Sequence, residues 1–81
     1  MDRFENMNTF ISVVEAGGIS AAATRMNIAK SVISRRLKEL EAHLGVELFH
    51  RTTRRMNLTD SGHTFYQQSV RILADLIEAE H

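Results

Sequence analysis

Between Ser20 and Leu44 the chain carries two short helical patterns joined by the four residues Met26-Asn27-Ile28-Ala29, too few to let the helices separate. Three alanines, Ala21, Ala22 and Ala23, let the first of these helices approach its neighbour closely, and Ile33, ten residues on, locks the pair from the other side. Asn27 stands where the turn calls for positive φ, a conformation asparagine tolerates because its short amide bonds locally to the backbone. Taking 100° per residue, Ile33, Leu37, Leu40 and Leu44 fall within about 60° on one face, with Ser31, Ser34, Arg35, Lys38 and Ala42 opposite. One stripe packs; the other, bearing hydroxyls and cations, is left to touch something outside.

The rest of the chain frames this unit. Phe4, Met7, Phe10 or Ile11, and Val14 recur at three- and four-residue steps, so residues 3–16 read as an amphipathic helix ended by Gly17-Gly18. Ser20 has the position of an N-cap for a helix over 20–26, and Gly45 suits the residue just past the third helix. Leu48-Phe49-His50 and Met56-Asn57-Leu58 are strand-like runs around Arg51-Thr52-Thr53-Arg54-Arg55, a hairpin with a basic tip. Thr59 caps a last helix from about Asp60 to Glu80, with Asp60 at the positive end of its dipole. Phe65, Tyr66, Ser69, Val70, Ile72, Leu73, Leu76 and Ile77 give this helix an apolar band wider than a small core covers, which points to a partner helix and a two-fold homodimer.

Composition excludes more than it selects. Eighty-one residues make one domain with a small core, and the absence of cysteine removes disulfides and thiolate ligands. No apolar run nears the ~18 residues of a membrane span and no signal-peptide layout opens the chain, so a soluble, cytoplasmic domain with no membrane partner is expected. His43, His50, His63 and His81 lack metal-ligand spacing, and no glycine-rich loop follows a strand, so neither an enzyme nor a metal or cofactor site is expected in this domain. The formal net charge is zero, but it is segregated. From Arg25 to Arg55, eight cations face three acids, a net +5; the remainder balances it at −5. A basic face with acidic flanks docks on phosphate in one orientation. With the helix pair, this predicts double-stranded DNA as the partner.

The chain resembles the N-terminal DNA-binding domain of LysR-type transcriptional regulators. The resemblance rests on Met1 and Phe4 with Phe10-Ile11 and Val13-Val14-Glu15-Ala16-Gly17, on Ser20-Ala21-Ala22-Ala23, and on Ser31-Val32-Ile33-Ser34-Arg35-Arg36-Leu37 with Leu40-Glu41. Leu44-Gly45-Val46, Leu48-Phe49, Arg51 and Leu58-Thr59 with Gly62 complete it, in order and over nearly the whole chain. It implies a mainly α fold: a winged helix-turn-helix of three helices and a β-hairpin wing over residues 1–58, then a linker helix over 59–81 that pairs with a second subunit. The chain would stop short of an effector-binding domain, where any small-molecule effector would be recognised. It implies a bacterial, nucleoid-associated regulator that binds an interrupted inverted repeat as a homodimer.

Site residues follow from the same resemblance. The third helix enters the major groove with Lys30, Ser31, Ser34 and Arg35 toward base edges, where Lys and Arg donate to guanine O6 and N7 and serine bonds several edges. Many relatives have glutamine where this chain has Lys30, so preference shifts toward guanine or phosphate. Ala29 leaves the helix N-cap empty unless Ser31 supplies an oxygen. Ser20, Thr24, Arg36 and Lys38 are expected on phosphates, and Arg51, Thr52, Thr53, Arg54 and Arg55 in the wing, beside the backbone or in the minor groove. Phe65, Tyr66, Val70, Leu73, Leu76 and Ile77 are the expected dimerisation residues. The alternative is a winged helix that docks a protein and never touches DNA, but such a face favours exposed aromatics and aliphatics, which Ser31, Ser34, Arg35 and Lys38 do not offer.

Overall fold

The first helix, α1 (Arg3–Ala16), starts where Asp2 Oδ1 accepts the Glu5 N–H at 3.0 Å and stops where Gly17 turns left-handed at φ 89°. The structure is a computed structural model that describes residues 2–50 and 56–81. After α1 come α2 (Ile19–Met26), α3 (Lys30–Leu44), the two-residue strands β1 (Phe49–His50) and β2 (Asn57–Leu58), and α4 (Asp60–Ala79). The strands pair antiparallel, Phe49 opposite Leu58 and His50 opposite Asn57, and form the base of a hairpin. Helix α1 packs on α2, α3 and α4, so it is the hub of the domain.

Around α1 the buried residues are Asn6, Met7, Thr9, Phe10, Ile11 and Val13, with Val14 half-buried. Phe4, expected on that face, is 56% exposed. It lies within about 20° of buried Ile11 around the helix axis, so its exposure reflects its place in the first turn of α1 rather than its direction. Phe10 is the centre of an aromatic cluster, its ring centroid 5.4 Å from Phe49, 5.4 Å from Phe65 and 6.4 Å from Tyr66, in the edge-on and tilted arrangements that ring quadrupoles favour. From α3, Ile33, Leu37 and Leu40 complete the core. Leu44 is on their face but exposed, at the last residue of α3.

The turn between α2 and α3 takes the form expected of it. Asn27 adopts φ 56° and ψ 46°, and the Ile28 N–H reaches back to the Ala23 carbonyl at 3.1 Å, the six-to-one bond of a Schellman closure. Ala22 and Ala23 are buried and Ala21 is exposed, so two of the three alanines serve the close approach. Ser20 is not the N-cap: Gly18 holds that position, its carbonyl accepting the Ala22 N–H at 3.1 Å, and Ser20 sits inside the first turn of α2.

Two polar residues fasten the hairpin. Glu41 Oε2 accepts the N–H groups of Leu48 (2.7 Å) and Phe49 (3.4 Å), drawing the chain after Gly45 back onto α3. Thr59 Oγ1 accepts the Gly62 N–H at 2.9 Å as the N-cap of α4 and donates to the Glu47 carbonyl at 2.6 Å; its own N–H reaches the Leu48 carbonyl at 3.0 Å. Gly62 is buried beneath this junction, where a Cβ would collide with the Leu48 carbonyl oxygen and come within 2.9 Å of Leu58 Cδ2.

The apolar band of α4 divides in two. Phe65, Tyr66 and Leu73, expected in a dimer interface, pack against the domain's own core, whereas Val70, Ile72, Leu76 and Ile77 are exposed. The reason is that α4 lies along α1: Tyr66 O–H donates to Glu15 Oε2 at 3.0 Å near one end, and Ile77 shares a groove with Asn8 near the other.

Candidate nucleic-acid interface

Lys30 and Ser31 occupy the first turn of α3 and are exposed; Ser34 is half-buried one turn later, with the Arg35 side chain 65% exposed beside it and Lys38 exposed beyond. Ile33, Leu37 and Leu40 turn inward, so the opposite sector presents Ser31, Ser34, Arg35 and Lys38, with Ala42 and Glu39 beside them. Arg35 Nε lies 3.5 Å from Glu39 Oε1, an i,i+4 pair that orients the guanidinium in the unbound protein and at this exposure holds it weakly.

A cleft of about 550 Å³ runs between α2 and the start of α3, lined by Ser20, Thr24, Asn27 and Lys30 among others. It brings together Ser20, Thr24 and Lys30, three of the expected contact residues. Neither helix bordering it has a side-chain cap: Gly18 precedes α2, and Ala29 precedes α3 with no side-chain oxygen, Ser31 included, bonded to its first N–H groups. By contrast, Asp2 and Thr59 cap α1 and α4. Lys30 stands at the positive end of the α3 dipole, an unfavourable place for a cation in isolation and a favourable one when an anion is brought to it.

Arg36 requires a correction. Expected on phosphate, its side chain is only 15% exposed and turns back onto α1, with Nη2 3.3 Å from Glu5 Oε1 and Nη1 donating to Thr9 Oγ1 at 3.2 Å. The reason is angular: Arg36 sits about 60° from Ile33 and about 100° from Leu37 around α3, at the edge of the packed stripe. Arg51, Thr52, Thr53, Arg54 and Arg55, the expected wing contacts, lie outside the described residues. Sequence reasoning also missed Glu5, Thr9 and Glu41 as structural partners. Glu41 and Gly62 stood within the quoted motifs, but nothing in the spacing of α1 flagged Thr9.

Three helices, a tight turn with left-handed Asn27 and an antiparallel hairpin define a winged helix-turn-helix domain with a basic, hydroxyl-bearing third helix. Residues 4–63 match the family model described as "Bacterial regulatory helix-turn-helix protein, lysR family", and the chain belongs to that family. It is 45% identical over 71 residues to an HTH-type transcriptional regulator of Xanthomonas campestris pv. campestris (strain 8004), covering 88% of this chain and 21% of that protein. It is 42% identical over 76 residues to the regulator CrgA of Neisseria meningitidis, covering 94% of this chain and 25% of that protein. The chain therefore spans about a fifth to a quarter of these curated relatives. Among solved structures it is similar to the DNA-binding domain of CbnR in complex with DNA, with a TM-score of 0.91, 39% identity, and coverage of 99% of this chain and 91% of that one. It is likewise similar to the DNA-binding domain of BenM in complex with catB site 1 DNA, with a TM-score of 0.91, 32% identity, and coverage of 98% and 87%. Among the described residues no helix is long and apolar enough to cross a membrane.

Proposed function

We propose that this chain binds double-stranded DNA sequence-specifically as a homodimer and regulates transcription in the bacterial cytoplasm. Lys30, Ser31, Ser34 and Arg35 read base edges from the major groove, and Ser20, Thr24 and Lys38 hold phosphates beside them. Arg51, Thr52, Thr53, Arg54 and Arg55 contribute from the wing. A second copy docks along α4 through Val70, Ile72, Leu76 and Ile77, and the pair spans an interrupted inverted repeat. No step calls on a cofactor, and recognition of a small-molecule effector is assigned to sequence beyond these 81 residues.

The observation that carries this reading is the outward sector of α3, where hydroxyls and cations at successive turns stand exposed beside a cleft bordered by two uncapped helix starts. Such a surface matches phosphates and base edges and offers a protein partner little apolar area to bury. The solved DNA complexes of CbnR and BenM, of the same fold, support it. The test is selection of bound sequences from a randomised duplex pool at moderate salt. Enrichment of a two-fold-related motif is expected; recovery of an unenriched pool would overturn the reading.

A further inference from the structure

The Arg36 guanidinium is shared by two residues one helical turn apart on α1. Nη2 pairs with Glu5 and Nη1 donates to Thr9 Oγ1, which in turn donates to the Glu5 carbonyl at 2.8 Å. Thr9 is fully buried, and Arg36 Nε is buried with no hydrogen-bond partner, so the group is desolvated against α1 rather than presented to solvent. Next to it in sequence, Arg35 points outward. Consecutive residues on α3 thus do opposite things: one grips the hub helix, the other faces solvent.

We propose that Arg36 is a positioning residue for DNA readout, a strut that fixes the rotation of α3 against α1 and so sets where Ser34 and Arg35 meet base edges. This rests on the base-reading roles assigned above. Side chains of α3 reach about 6 Å from its axis, so a 10° rotation displaces them by about 1 Å. Readout geometry tolerates roughly 0.5 Å. Ile33, Leu37 and Leu40 resist separation of the helices but, being non-directional contacts, resist small rotations poorly. A charge-assisted fork fastened at two points one turn apart does resist them.

The test uses the 81-residue chain, its Arg36→Gln and Glu5→Gln variants, and two duplexes: one selected by the wild-type chain from a random pool, and a scrambled duplex of the same composition. Affinities are measured by fluorescence anisotropy across a salt series, with folding checked by circular dichroism. Both substitutions are expected to lower the selected-to-scrambled affinity ratio by roughly 2- to 30-fold. On scrambled DNA both should leave the slope of log K against log salt unchanged. Equal weakening of both duplexes by Arg36→Gln with a slope smaller by about one unit, together with tighter binding by Glu5→Gln, would make Arg36 a phosphate contact and overturn the proposal. An unchanged ratio in either folded variant would also overturn it. Glu5 is half exposed, so its variant decides the matter if Arg36→Gln does not fold. A wild-type chain with no preference between the duplexes would sink the base-reading roles and the strut together, whereas preference retained in the variants would sink the strut alone.

Discussion

Replacing Gly62 by alanine sets two terms against each other. A helical glycine is less favourable than alanine by about 1 kcal/mol, so propensity alone predicts a gain, and a smaller one here because Gly62 is in the first turn of α4. Against it, the new Cβ meets the Leu48 carbonyl oxygen and lies 2.9 Å from Leu58 Cδ2. Leu58 can shift a rotamer. The Leu48 peptide cannot shift as readily: its carbonyl accepts the Thr59 N–H at 3.0 Å and its N–H donates to Glu41 at 2.7 Å. Overpacking of this kind costs about 1–3 kcal/mol, and disturbing the Leu48 to Thr59 bond adds about 1. The net expectation is a destabilisation of about 1–3 kcal/mol, a fall of roughly 1–2 M in the urea midpoint at unchanged slope. Unfolding is followed by far-ultraviolet circular dichroism at one fixed protein concentration, since any self-association would make stability depend on concentration. Exposed Ser61→Ala in the same turn should stay within about 0.5 kcal/mol of wild type. A Gly62→Ala protein as stable as wild type would show that the Leu48 peptide yields, refuting the rigid junction.

Arg35→Ala should cost about 1–3 kcal/mol on a selected duplex and much less on a scrambled one; equal losses on both would place Arg35 on phosphate instead. Lys38→Ala should weaken all duplexes alike and reduce the salt slope by about one unit, and an unchanged slope would remove Lys38 from the interface. The hydrogen bond to Glu15 raises the Tyr66 pKa above its ordinary value of 10.0, with burial and the Glu15 charge adding to it. A raised phenol pKa stabilises the fold fully below the unfolded value and loses that contribution as pH rises through the folded one. Tyr66→Phe should therefore soften the alkaline fall in unfolding midpoint above about pH 10, and an identical fall in the variant would contradict this. Ile77→Asp should shift sedimentation toward monomer while leaving circular dichroism per residue near wild type; an unchanged sedimentation coefficient would exclude α4's exposed end from self-association.

Elements set by local chemistry were legible in the sequence. The turn needed only Asn27's tolerance of positive φ, α1 and α3 end where Gly17 and Gly45 dictate, and α4 begins where Thr59 does, because caps are decided by neighbouring residues. Ser20 misled because serine's preference for N-caps competes with chain geometry, and the Gly17-Gly18 bend had already let the helix begin at Ile19. The exposed hydroxyl and cations on α3 followed from periodicity. Arg36 did not, since an arginine at the edge of a packed stripe can turn either way, and its direction depends on Glu5 and Thr9, some thirty residues distant in sequence. Residues meeting across such separations leave no periodic trace.

The width of α4's apolar band illustrates the same limit and resolves it. At 100° per residue, Phe65, Gly62, Ser69, Leu73 and Tyr66 occupy one sector about 100° wide, which the core takes up. Leu76 falls inside that sector and Ile77 just beside it, yet both are exposed, so their exposure reflects position along the axis rather than direction around it. Every residue after Leu73 is exposed, leaving the end of the helix without side chains buried in its own domain. A helical end of this length is marginal in water on propensity alone. Its two large aliphatic residues, continuous with exposed Val70 and Ile72, leave apolar surface for a second helix to cover. The wide band is thus two surfaces on one helix: an inner sector that completes the domain, and flanks and a tail that suit a second copy.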